Sequence, residues 1–102
     1  MKLLWHSNSP WAPTGYGVQT GLFAPLLNQH YDVAVSSFYG LEGSPLNWNG
    51  LKVYPGMTPD CGNLTLLPHA KDHFGGDLRG GMVVTLLDVW VLEAQLAAKV
   101  NM

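Results

Sequence analysis

The sequence predicts an α/β fold: an open, mainly parallel sheet of the Rossmann-like class that carries a β-hairpin. Three observations predict it. Apolar runs of strand length recur at 2–6, 32–37 and 82–87, and helix-period apolar patterns follow the first and last of them. Leu46-Asn47-Trp48, Asn49-Gly50 and Leu51-Lys52-Val53-Tyr54 have the form of two short strands around a tight turn. Strand, helix and strand within the first 37 residues make a βαβ unit, the building block of a parallel sheet.

Each element has its own justification. Residues 2–6 (KLLWH) stop in the Ser-, Asn-, Pro- and Gly-rich loop SNSPWAPTGYG, as a buried parallel strand does before a crossover. Val18 to Gln29 is the first helix, with Val18, Leu22, Leu26 and Leu27 on one stripe. Pro25 lies inside it and clashes with the carbonyl of residue 21, which predicts a kink or a later start. Asp32 to Ser37 is the second strand. Asn-Gly between apolar strands is the strongest short hairpin signal. Residues 55–63 are loop, and Leu64 to Phe74 is a short helix ended by Gly75-Gly76. Met82 to Leu87 is a Val-rich buried strand. Asp88 opens a last helix, whose Val89, Leu92, Leu96 and Val100 form an apolar stripe.

Composition removes several functions. The 102 residues make one small domain, and 47% hydrophobic content suffices for a core. Net charge is −2, divided evenly between the halves, so no basic face exists to neutralise the phosphates of nucleic acid. One cysteine, Cys61, forms no internal disulfide. The most apolar stretch, Met82 to Val100, is broken by Thr85, Asp88, Glu93 and Gln95, so it fails the criterion of about 18 uncharged residues for a membrane span. Leu3-Leu4-Trp5 is too short for a signal-peptide core, which makes the cytoplasm the expected location.

The chemically suggestive segment is Thr14-Gly15-Tyr16-Gly17-Val18-Gln19, between the end of the first strand and the first helix. In an open α/β sheet ligands bind there. Gly15 and Gly17 let backbone amides approach an anion, and a helix N-terminus adds about half a positive charge. Thr14, Tyr16 and Gln19 offer side-chain hydrogen bonds, and His6, ending the preceding strand, is a candidate catalytic donor into the same site or a structural residue. The same glycines also suit a turn that merely reverses the chain. The spacing Gly15-x-Gly17-x-x-x-Gly21 is one residue longer than a dinucleotide fingerprint, and no acidic residue closes the second strand. A nicotinamide or flavin site is thereby disfavoured, and the absence of G-x-x-x-x-G-K-[ST] excludes a P-loop.

The runs HSNSPWAPTGYGVQT, YDVAVSSFYGLEG, WNGLKVYP and TLLDVWVL, in that order, resemble the opening part of family 4-type (group 1) glycosyltransferases. The resemblance implies the N-terminal part of a GT-B architecture, in which two Rossmann-like domains face a cleft. It implies transfer of a sugar, with retention, from a nucleotide-sugar donor to an acceptor hydroxyl. The donor is a substrate, and neither a resident cofactor nor a metal is demanded. Gly15, Tyr16 and Gly17 match the glycine-rich loop near the donor diphosphate. Asp88 and Trp90 match cleft positions after the fourth strand, Asp88 standing where the family often has a His that contacts the sugar. The chain covers the acceptor side only; the missing C-terminal domain would hold the nucleotide, so little turnover is expected from these residues alone.

Other features have plainer readings. His69 and His73 share a helix face, compatible with a metal but better suited to a solvated face or partner contacts. Asp88 also suits an N-cap. Trp5, Trp11, Trp48 and Trp90 serve either core packing or sugar stacking. Asn63-Leu64-Thr65 fits a glycosylation pattern without a secretion signal. The rival to an enzyme fragment is a non-catalytic α/β interaction module that forms a homodimer or pairs with a partner chain, because a short parallel sheet leaves an edge and apolar faces uncovered.

Overall fold

A computed structural model of the chain describes residues 1–41, 44–56, 66–85 and 100. Its elements are β1 (Lys2–Asn8), α1 (Gly15–Leu27), β2 (Asp32–Tyr39), β3 (Leu46–Trp48), β4 (Leu51–Tyr54), α2 (Leu66–His73) and β5 (Met82–Thr85). The five strands form one sheet in the order β3-β4-β2-β1-β5. Only the β3–β4 hairpin is antiparallel; β1 pairs in parallel with β2 and β5, and β2 with β4. The result is a mixed α/β fold. No helix among the described residues is long and apolar enough to cross a membrane.

The hairpin forms where its turn chemistry places it. Asn49 and Gly50 both take positive φ, 50° and 86°, the conformation a two-residue hairpin turn requires. Asn47 Oδ1 accepts from the Gly50 amide at 3.0 Å and closes the turn. β1 and β2 run two residues further than their apolar runs, through Asn8 and Tyr39, because the added residues still pair across the ladder.

Strand alternation separates two cores. Leu3, Trp5, Val33, Val35, Leu51 and Val53 face α1, together with Ala24 of that helix. Leu4, Ala34, Tyr54 and Val83 face α2, with Leu66, Ala70, Phe74 and Val100. The helices therefore cover opposite faces.

The first helix differs from expectation in two ways. It begins at Gly15, three residues before Val18, because Thr14 caps it, and it runs through Pro25. Pro25 sits in the last turn, and its missing N–H leaves the Gly21 carbonyl without its helical partner. Most of the predicted apolar stripe also faces outward: Val18, Leu22 and Leu26 are 58%, 60% and 55% exposed, while Leu27 packs against the core. The buried face is Gly17, Thr20 and Ala24. Small residues let the helix lie close to the sheet, and the bulk between them comes from Trp5, whose Nε1 donates to Thr20 Oγ1 at 3.0 Å.

Residues 64–65, 86–87 and the predicted last helix from Asp88, like Cys61 and Asn63, fall outside the described residues, except Val100. Val100 is buried on the α2 side.

Candidate functional site

Taken in chain order, the parallel strands β1, β2, β4 and β5 lie as third, second, first and fourth across the sheet. Strand order thus reverses between β1 and β5, and the carboxyl rim at such a reversal is where open α/β sheets bind ligands. Two constructions of the sequence meet at or near that rim.

The first is the turn from β1 to α1. Asn8, the last residue of β1, donates from Nδ2 to Thr14 Oγ1 at 2.6 Å. The same oxygen accepts from the Gly17 amide at 3.0 Å, so Thr14 is the N-cap of α1. Between them the chain turns tightly, the Ala12 amide bonding the Ser9 carbonyl at 3.0 Å and the Thr14 amide the Ala12 carbonyl at 2.8 Å.

The glycines divide by role. A Cβ on Gly17 would strike the Ala12 carbonyl oxygen, and one on Gly21 would lie 2.9 Å from the Pro10 carbonyl. Both glycines exist so that residues 10–12 can lie against the helix. Gly15 has open space where its side chain would be. Of the two loop glycines, Gly17 has its amide committed to Thr14, and the spacing Gly17–Gly21 is explained by backbone packing. Ser9 Oγ is buried beside Gly40 with no hydrogen-bond partner among the described residues.

Gln19 departs from this group. It lines a groove of about 460 Å³ along the flank of α1 with Trp5, Phe23, Leu26, Leu27, Gln29 and His30. Tyr16 and Thr14 are half-buried at the turn. Asp88 and Trp90 lie outside the described residues.

The second construction is a polar row across the α2 side of the sheet. Tyr54, Ser36, His6 and Thr85 are register partners on β4, β2, β1 and β5. His6 and Ser36 are fully buried. His6 Nδ1 lies 2.9 Å from Ser36 Oγ, and His69 of α2 brings its own Nδ1 to the same oxygen at 2.7 Å. His69 stacks on the Tyr54 ring at 4.8 Å and 20°. The Tyr54 hydroxyl donates to Asp72 Oδ2 at 2.6 Å, and Lys52 reaches that oxygen at 3.2 Å.

Burial sets the ionisation of this group. Desolvation, helped by His6, pushes the His69 pKa down to about 4. Desolvation and the Asp72 carboxylate raise the Tyr54 phenol, while the hydrogen bonds from Tyr54 and Lys52 lower Asp72. His69 is therefore neutral at pH 7 and buried, where a solvated face was expected. His73 turns elsewhere, its Nε2 lying 3.0 Å from the Asp32 carbonyl. Among the described residues no three His, Cys, Asp or Glu side chains gather as a metal site.

The sequence singled out His6 but not Ser36, Tyr54 or the partnership with His69. The one local signal was Ser36, a polar residue at an inward strand position. The tryptophans divide: Trp5 is core, while Trp11 is 39% exposed, donates to the Gly40 carbonyl at 2.8 Å and lies against Trp48 at 6.5 Å. Compared with protein-family models, with curated proteins and with solved structures, the chain matches none.

Proposed function

We propose that this chain is the acceptor-side, N-terminal part of a retaining glycosyltransferase of Rossmann-like, GT-B type, moving a sugar from a nucleotide-sugar donor to an acceptor hydroxyl. The observation that supports it is the reversal of strand order between β1 and β5, beside which the β1–α1 turn ends in a capped helix N-terminus. In this reading Gly15 and Tyr16 approach the donor diphosphate, while Asn8 and Thr14 hold the turn in place. Asp88 and Trp90 are the further cleft residues that the resemblance implies. Gly17 serves the packing of the turn.

The chain by itself turns over negligibly in this reading. A departing diphosphate needs cations and a water-excluded cleft, and no Lys or Arg occurs between Lys2 and Lys52. The test is a thermal-shift screen against nucleotide-sugars at millimolar concentration. A donor that binds the folded chain raises its melting temperature. No shift with any donor contradicts the proposal, and sugar transfer by the purified chain above a heat-killed control contradicts its negligible turnover.

A second reading rests on a different observation. The outward Val18, Leu22 and Leu26 stripe, with 47%-exposed Phe23 beside it, is an apolar face of the kind that marks association. In that reading the chain is an interaction module that pairs with a partner or with itself. Concentration-dependent sedimentation without any response to nucleotide-sugars favours it.

A further inference from the structure

We infer that His6, Ser36 and His69 form an acid-sensitive latch that holds α2 on the sheet while the His69 imidazole is neutral and releases it when that imidazole takes up a proton. One hydroxyl serves two imidazoles from three separate elements, β1, β2 and α2, and none of the three side chains is exposed beyond 7%.

The hydrogen-bond chemistry fixes the direction of this chain of bonds. His69 also bonds the Pro55 backbone, and proline has only a carbonyl there, which accepts. His69 must therefore supply an N–H to it. With Nδ1 turned to Ser36, that hydrogen is on Nε2, and the neutral ring presents a bare Nδ1. The Ser36 hydroxyl donates to it, and the Ser36 oxygen accepts from the Nδ1–H of His6. Every proton in the run His6, Ser36, His69, Pro55 points the same way.

A proton added at His69 Nδ1 destroys this arrangement. Both imidazoles then aim N–H groups at one oxygen, the serine hydrogen loses its acceptor, and a cation is left in an apolar interior. An unpaired buried charge of this kind is relieved by opening the site to water. Among the described residues the facing groups oppose this only weakly. His6 on β1 disfavours the charge; Tyr54 on β4 stacks on the ring without accepting from it. Asp72 on α2 favours the charge, but its carboxylate is exposed and committed to Tyr54 and Lys52. His73 and Lys71 lie on the outer part of α2, and β5 offers Val83 and Thr85, which do not titrate.

The outcome is selective. α2 buries Leu66, Ala70 and this cluster, and is tied at its outer part by Asp72 to Tyr54 and Lys52, whereas among the described residues the α1-side core contains no titratable group. Acidification should loosen α2 before α1.

The test is hydrogen exchange of the full chain, corrected for intrinsic rates, together with the ring-nitrogen spectrum of ¹⁵N-histidine. With a His69 pKa of about 4 against an ordinary 6.5, protection of the Ala70, Asp72 and His73 amides should fall about 20-fold from pH 7 to pH 5, and α1 amides far less. His69→Gln should abolish the pH dependence, and His73→Gln should retain it. At pH 7 the spectrum should show His6 protonated on Nδ1 and His69 on Nε2. Equal α2 protection at both pH values, or the opposite tautomers, overturns the latch. Should His69→Gln fail to fold, the tautomers and exchange of the unaltered chain decide the matter alone.

Discussion

The two helices pack on the sheet in different ways. On the α1 side the sheet supplies the bulk, through Leu3, Trp5, Val33, Val35, Leu51 and Val53, and the helix supplies small residues, Gly17, Thr20 and Ala24. On the α2 side β2 supplies the small Ala34 and Ser36, the other strands supply Leu4, Tyr54 and Val83, and the helix side adds Leu66, Ala70 and Phe74. β2 shows both solutions in alternate residues. The outer faces differ as well: α1 carries no charged residue, while α2 turns Lys71 and Asp72 to solvent. An apolar stripe is thus a guide to the buried face only when the opposite face is polar and bulky. When the opposite face is small, close approach to a large sheet residue wins, and the stripe is left for another surface.

The largest contrast is expected between two leucines. Leu66→Ala should cost about 3 kcal/mol, because the side chain is fully buried and its loss leaves a cavity. Leu22→Ala, on the outward stripe, should change stability by no more than about 0.5 kcal/mol. Urea unfolding of both variants measures the difference, and equal costs would return the α1 stripe to the core.

The glycines of the turn give the next contrast. Gly17→Ala places a methyl group against a backbone carbonyl that has nowhere to move, so about 2–3 kcal/mol should be lost. Gly15→Ala, in open space, should be within roughly 0.5 kcal/mol of the parent by the same measurement.

The pH response follows in size. His69 is neutral in the fold and takes a proton first in the unfolded chain, so its stability contribution is complete above about pH 6.5 and is lost as pH falls toward 4. From pH 7 to pH 5 the loss should be about 2 kcal/mol, read from urea midpoints and absent in His69→Gln. Smallest is Tyr54→Phe, which removes one hydroxyl bond to an exposed carboxylate and should cost roughly 1 kcal/mol in the same assay.

What the sequence makes legible is local. The hairpin is written in Asn49-Gly50, since only positive φ at both positions turns the chain between Trp48 and Leu51. The strands are written in apolar runs, and their ends shifted only where pairing continued past the run. The cap at Thr14 was not legible, because the apolar pattern starts the helix at Val18 rather than at Gly15. The burial of α1 was not either, because spacing gives a stripe and leaves open which side faces the sheet. Nor was the His6, Ser36, His69 cluster, whose members are 30 and 33 residues apart and meet only through strand register and a helix laid across it. The role of Gly17 needed the position of the Ala12 carbonyl, which no local pattern carries.

The most direct test of the rim site is the amide spectrum of the chain during titration with a nucleotide-sugar. The account predicts shifts concentrated at Gly15 and Tyr16, with Asn8 and Thr14 moving beside them, and the α1 flank around Phe23 and Leu26 unchanged. Shifts confined to that flank, or none at millimolar donor, would contradict it.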